Sequence, residues 1–368
     1  MTIASSLTTA SSPTFRDLLK KIAGGPHTSK DLSREEAALA LAQMLTDQAT
    51  PAQIGAFLIA HRMKRPTGVE LAGMLDTYDR LGCKLKAIDS AYLPLVLGCP
   101  YDGRKRTFPL VPLTALILAS AGCPVILHGG DRIPPKYGVS LVELWQGLGV
   151  DWTSLSLEQI QQTLESQSLA LVYQPRHFPL SLSLIAYREE LGKRPPVATL
   201  ELMWSPYAGP ARLAVGYVHP PTEQLIVDAL QTRGVEHFLM VKGWEGSVDL
   251  PGNRPAIVQS YDAPQALERL PLHPEHYGIK FTDQPFSDVV DWVDQVQGLL
   301  DGSEVPLAEL YDSVRWNAGF YLWRSGVTDS LEAGITLTAD LLRSGQVRQK
   351  LLDLQRAYRK NGYKASPF

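Results

Sequence analysis

The stretch Gly98-Cys99-Pro100-Tyr101-Asp102-Gly103-Arg104 decides the fold. Before it runs Tyr92-Leu93-Pro94-Leu95-Val96-Leu97, an apolar segment that reads as a buried strand. After it comes Val111 to Ala121, apolar over a helical length. A glycine-bearing loop between a strand and a helix is where α/β proteins hold phosphates, because free backbone N–H groups converge there. Pro100 weakens that reading, since proline has no N–H to give. The plainer alternative is a strand-to-helix turn capped by Asp102.

Outward from this loop, short apolar strands alternate with helical patterns from about Ala87 onward. Tyr92–Leu97, Pro124–Leu127, Leu169–Tyr173, Arg212–Val218 and His237–Val241 are expected strands. Val111–Ala121, Leu141–Leu148, Leu157–Glu165 and Thr222–Thr232 are expected helices. Such alternation implies an α/β domain with a mainly parallel sheet flanked by helices. Val305 to Tyr363 returns to helix, and its last turns are basic through Arg356, Arg359, Lys360 and Lys364.

Upstream of the loop the pattern is helical. Ser33-Arg34-Glu35-Glu36 is a capping box, with Leu32 and Ala37 placed as a hydrophobic staple. Thr50-Pro51-Ala52-Gln53 and Thr67-Gly68-Val69-Glu70 are two more. Residues 15–86 therefore read as a small helical N-terminal domain, 87–368 as the α/β domain, and the Ser/Thr-rich 1–14 as a disordered tail.

The formal net charge of −3 lacks the basic excess usual in an obligate nucleic-acid binder. Cys83, Cys99 and Cys123 show no C-x-x-C spacing and read as reduced thiols of a cytoplasmic protein. No apolar run reaches the ~18 residues of a membrane span, and the N-terminus lacks a signal-peptide pattern. No Ser-His-Asp, Cys-His or zinc spacing supports hydrolase or zinc chemistry.

Six segments in order resemble the anthranilate phosphoribosyltransferase family, the family-3 glycosyltransferases that include pyrimidine-nucleoside phosphorylases. They are Leu32–Ala37 with Ala52–Leu58; His128-Gly129; Lys136-Tyr137-Gly138 with Leu148-Gly149; Arg176-His177-Phe178-Pro179; Tyr187–Gly192; and Trp316-Asn317-Ala318 with Ser344-Gly345. The resemblance implies a helical domain rejoined by helices near 178–194, homodimerisation through that domain, and phosphoribosyl diphosphate or a related sugar phosphate as donor. The family's Gly-Thr-Gly-Gly-Asp loop is replaced here by Gly98-Cys99-Pro100-Tyr101-Asp102, and its Lys-His-Gly-Asn-Arg by Leu127-His128-Gly129-Gly130-Asp131-Arg132. The family's Asp-Glu metal pair falls near Val248-Asp249. Tyr101–Arg104, Val218-His219-Pro220 and Gly243-Trp244-Glu245-Gly246 look like a divergent branch, some members of which are associated with nucleic-acid binding.

On that footing, Gly98, Asp102, Gly103, Arg104, His128, Gly129, Lys136 and Ser140 are expected around the phosphate and ribosyl group. Each has a structural alternative: glycines needed for positive φ, a surface lysine, a solvated basic turn. Arg176, His177 and Arg188 match acceptor-lining positions, and an arginine there would grip a carboxylate bidentately. Glu245 and Asp249 are the candidates for Mg²⁺, which takes carboxylates together with phosphate oxygens. The expected function is phosphoribosyl or pentosyl transfer to an unidentified acceptor. The alternatives are a nucleic-acid- or nucleotide-binding protein, or a non-catalytic member of the branch.

Overall fold

The structure, a computed structural model, describes residues 13–25, 27–302 and 308–360. Its first four helices are α1 (Phe15–Ile22), α2 (Arg34–Leu45), α3 (Pro51–Lys64) and α4 (Gly68–Leu81). Each starts at a capping box, with Thr14, Ser33, Thr50 and Thr67 as caps and Asp17, Glu36, Gln53 and Glu70 reaching back. The three boxes read from the sequence form, and Leu32 and Ala37 are both buried as a staple requires. Thr14 corrects the tail expectation at its edge, because it caps α1; residues 1–12 lie outside the described residues.

Seven strands form one sheet: β1 (Leu95–Gly98), β2 (Val125–Gly129), β3 (Leu169–Tyr173), β4 (Arg212–Gly216), β5 (His237–Val241), β6 (Ala256–Asp262) and β7 (Glu268–Leu272). Their order is β3-β2-β1-β4-β5-β6-β7. The first five run parallel, and β6 and β7 add an antiparallel edge. The five parallel strands are almost wholly buried, which is why they read as unbroken apolar runs. The strand order reverses between β1 and β4, and ligands of open α/β sheets bind at such switch points, outside the carboxyl ends of the strands.

The remaining helices are α5 (Val111–Ser120), α6 (Leu141–Gly147), α7 (Leu157–Gln167), α8 (Gln174–His177), α9 (Ile185–Leu191), α10 (Leu200–Met203), α11 (Pro220–Thr232), α12 (Val289–Leu300), α13 (Ala308–Arg324), α14 (Leu331–Arg343) and α15 (Gln346–Lys360). Helix α4 packs on α11, and α9 packs on α3. Two polar links tie the segment around α9 to the helical domain: Ser183 Oγ donates to Leu45 O at the end of α2 at 3.2 Å, and Arg62 Nη1 on α3 donates to Arg194 O at 2.5 Å. Helix α10 lies directly on the end of β1. A Cβ on Gly98 would sit 2.0 Å from the Leu202 carbonyl, so only glycine allows this approach.

Candidate functional site

The loop after β1 folds back on itself and on the 138–139 segment. Gly103 takes φ +78°, and its N–H donates to Pro100 O at 3.0 Å. Gly138 N donates to Asp102 O, and Arg104 and Val139 exchange two backbone bonds at 3.1 and 2.8 Å. These bonds use the first N–H groups of the loop. The next ones converge on a single carboxylate, that of Glu245. The N–H groups of Lys105, Arg106 and Thr107 reach Glu245 at 3.1, 3.0 and 3.3 Å, the Thr107 hydroxyl at 3.3 Å and Arg104 Nε at 3.3 Å. Lys136 Nζ pairs with Glu245 at 2.7 Å and also donates to Gly103 O at 2.6 Å. These donors surround an in-chain anion, the Glu245 carboxylate.

Electrostatics agree with the geometry. Burial alone would raise the Glu245 pKa, but Lys136, the Arg106 N–H and Arg104 outweigh it and hold the carboxyl at about 2. Burial lowers the Lys136 pKa, while Glu245 opposes it. Glu245 adopts φ +55°, a conformation that costs a non-glycine residue of order 1 kcal/mol or more and persists where its surroundings hold it.

Asp249 is tied up in the same way. Its Oδ2 accepts from Arg104 Nη1 at 2.5 Å and from Leu110 N at 3.2 Å. Its segment is clamped from α13, where the Asn317 amide bonds both Leu250 N and Leu250 O, and Tyr321 OH donates to Val248 O at 2.6 Å. A divalent ion does not fit these carboxylates as arranged. Each already faces an in-chain cation, and the described residues hold no group of three His, Cys, Asp or Glu side chains able to ligate a metal. Arg104 and Lys136 are the in-chain partners of these two carboxylates, which are the residues expected to hold Mg²⁺. The recess beside Arg104, Asp249 and Trp244 holds about 20 Å³, room for roughly one water.

His128 is the penultimate residue of β2 and is fully buried. Its Nδ1 bonds the Tyr101 hydroxyl, and its ring meets Tyr101 and Trp204 edge-on at 5.4 and 5.5 Å. Burial, helped by the Lys84 charge, lowers its pKa to about 3, so the ring is neutral near pH 7. It is a buried imidazole held between two aromatic rings. Asp102 lies beside this group, buried, with Oδ1 lacking a partner among the described residues.

Arg188 on α9 is buried against Glu201 on α10, with Nη1 donating to Oε1. Burial raises the Glu201 pKa, and Arg188 and Arg194 pull it back. Sequence reasoning missed Glu201, although a lone acid inside Leu200-Glu201-Leu202-Met203-Trp204 was the available signal. Arg176 and His177 do not join this group. Arg176 Nη1 donates to Ser154 O at 2.9 Å, and His177 Nε2 lies 3.1 Å from Leu155 O, so both pin the 154–155 segment. Ser140 is also elsewhere employed, as the N-cap of α6 in a box with Glu143. Gly129 packs loosely: a Cβ there would approach only Tyr101, at 3.9 Å.

Two family models match the chain. One, described as "Glycosyl transferase family, helical bundle domain", covers residues 16–82, and one described as "Glycosyl transferase family, a/b domain" covers residues 102–348. The chain belongs to this glycosyl transferase family. Within the family it is 27% identical over 345 residues to an anthranilate phosphoribosyltransferase of Marinomonas sp., spanning 91% of this chain and 96% of that one. It is 25% identical over 328 residues to one of Polynucleobacter necessarius, spanning 88% and 93%. Among solved structures, anthranilate phosphoribosyltransferase from Thermus thermophilus superposes with a TM-score of 0.77 at 23% identity, covering 93% of this chain and 99% of that one. The Saccharomyces cerevisiae enzyme in complex with PRPP and Mg gives 0.77 at 15%, covering 94% and 98%. At these identities the structures establish the fold of this glycosyl transferase family member.

Proposed function

We propose that this chain is a phosphoribosyltransferase-type transferase whose donor is phosphoribosyl diphosphate, bound over the loop that follows β1. The observation that carries the reading is the Glu245 cradle: three successive N–H groups, Arg104 and Lys136 aimed at one anion, at the switch point of the sheet. A phosphate presents the same acceptor oxygens to the same donors. Transfer breaks the bond from ribosyl C1 to diphosphate and forms one from C1 to the acceptor, through a cationic ribosyl centre. In this reading Arg104 and Lys136 hold the departing diphosphate by fixed charge. The open Asp102 Oδ1 accepts from a ribose hydroxyl.

The donor has to displace Glu245, because Glu245 already occupies the Lys105, Arg106 and Thr107 N–H groups and the Lys136 amine. A ligand at ~100 times its dissociation constant adds roughly 2.7 kcal/mol of stability. Phosphoribosyl diphosphate is therefore expected to raise the thermal midpoint, to raise it further in Glu245→Ala, and to leave Lys136→Ala unmoved. Once displaced, Glu245 no longer has Lys136 as its partner, so a rise that is larger in Mg²⁺ than in a chelator is expected if the freed carboxylate joins an ion on the diphosphate. No shift in either the native chain or Glu245→Ala at millimolar donor sinks the transferase reading.

Nucleic-acid binding calls for a continuous basic surface. Here Arg104 and Lys136 are paired with acids, leaving Lys105 and Arg106 exposed on the loop. The transferase reading includes a homodimer through the helical domain, supported by Ile59 and Met63, exposed one turn apart on α3.

A further inference from the structure

A cavity of about 500 Å³ is lined by two cations that pair with no acid, Arg254 and Lys280. It lies between residues 252–255, which lead into β6, and residues 273–282, which follow β7. Ala256 pairs with Leu272, and Val258 with Val241 at the end of β5, so the cavity sits at the same edge of the sheet as Glu245. Small-ligand sites commonly span roughly 300–1,000 Å³. The Arg254 guanidinium lies over the Trp244 ring, 4.4 Å from its centroid. Its Nε is shut off from solvent with no partner, and its charge meets no carboxylate among the described residues. Lys280 is exposed on the facing segment, and its ammonium likewise has no acid partner among the described residues. By contrast Arg212, Arg233 and Arg324, half-buried like Arg254, each face a carboxylate.

Hydrogen bonds hold both walls. Asp283 accepts from Gly252 N at 3.1 Å and from Asn253 N at 3.3 Å. A Cβ on Gly252 would lie 2.2 Å from the Phe281 ring, a closeness that only glycine permits. Further along, His276 N donates to His273 O at 3.0 Å and Ile279 N to Pro274 O at 3.1 Å. Walls that are already ordered lose less freedom when a ligand binds.

We propose that this cavity binds the phosphate monoester of a sugar, at a site separate from the cradle around Glu245. Arg254 and Lys280 take the phosphate: the guanidinium donates through its terminal nitrogens, and the ammonium supplies a point charge. Glu275 and Glu309 line the same cavity and accept from sugar hydroxyls. Glu309 gives Oε2 to the Gln284 amide, which leaves Oε1 for the ligand. The two carboxylates also set the ligand class. They repel a molecule that is anionic at both ends, and inorganic phosphate offers them no sugar hydroxyl. The site stands independently of the transferase reading.

Glucose 6-phosphate, glucose and inorganic phosphate are titrated separately into the full chain. Binding is read by calorimetry and by tryptophan fluorescence, since Trp244 lies under Arg254. Glucose 6-phosphate is expected to bind tighter than either fragment by roughly tenfold or more. Arg254→Gln and Lys280→Gln are each expected to weaken it by roughly tenfold, the order of one charge-assisted bond. Lys280 is exposed and unpaired, so its variant is expected to keep the native thermal midpoint, which separates lost binding from a lost fold. Lys136→Ala alters the Glu245 cradle and is expected to leave glucose 6-phosphate binding unchanged. No binding at millimolar glucose 6-phosphate, equal affinity for inorganic phosphate, or unchanged binding in either cavity variant overturns the proposal. Binding that disappears in Lys136→Ala overturns it too, and moves the sugar phosphate to the loop after β1.

Discussion

Glu245 and His128 have opposite chemistry yet make the protein acid-sensitive in the same sense. Glu245 has a folded pKa of about 2 against an ordinary 4.5. A lowered carboxylate contributes stability that is present above its unfolded pKa and is lost as pH falls through the folded one. The shift is worth on the order of 3 kcal/mol. His128 is lowered from 6.5 to about 3, so its neutral form stabilises the fold above pH 6.5 and that contribution drains away toward pH 3. Urea midpoints across pH are expected to fall in two overlapping windows, 6.5 to 3 and 4.5 to 2. Glu245→Gln flattens the lower window and His128→Asn the upper one. Unchanged slopes in both variants contradict the assignment. Neither environment was legible from sequence. In the sequence Glu245 is a candidate for Mg²⁺, and only the fold brings the 105–107 amides around it.

At the scale of elements, the sequence is most readable where the rule is local. Capping boxes lie within four residues, and all three that the sequence announces start helices. Strands β1 to β5 announce themselves because both faces are buried. The antiparallel edge does not. In β6 buried residues alternate with half-buried Ile257, Gln259 and Tyr261, and β7 is mostly exposed and contains Pro271, which suits an edge strand and resembles a loop. Helix α13 is legible as a helix, but its use is not. Asn317 reaches out of it to both polar groups of Leu250 and so fixes the neighbouring Asp249. Asn317→Leu leaves that buried N–H and C=O unpaired, at about 1–3 kcal/mol for each. Calorimetry is expected to show that loss together with a weaker response to phosphoribosyl diphosphate. A stability loss with an intact donor response would confine Asn317 to packing.

On the scale of the whole molecule, two buried arginines, Arg104 and Arg188, each face a carboxylate from the same chain. Glu245 arrives after β5 and Glu201 on α10, so neither pairing can be read from adjacent residues. The helical domain presents a different surface to its surroundings. Met63 is 77% exposed, and Ile59 lies one turn before it on α3. An isologous dimer covers the same patch on both subunits, so any substitution there acts twice. Covering a methionine stabilises by about 1.5–3 kcal/mol. Met63→Asp, felt on both sides, is then expected to weaken dimerisation by roughly a hundredfold or more, and light scattering with dilution reads that shift directly. Because α1 packs on α3, the exposed face is opposite to Ile54, Phe57, Leu58 and His61, the buried residues of α3, and the variant leaves the bundle intact. A dimer of unchanged affinity in Met63→Asp moves the interface away from this face. A native chain that is monomeric at every concentration removes the homodimer from the proposed function.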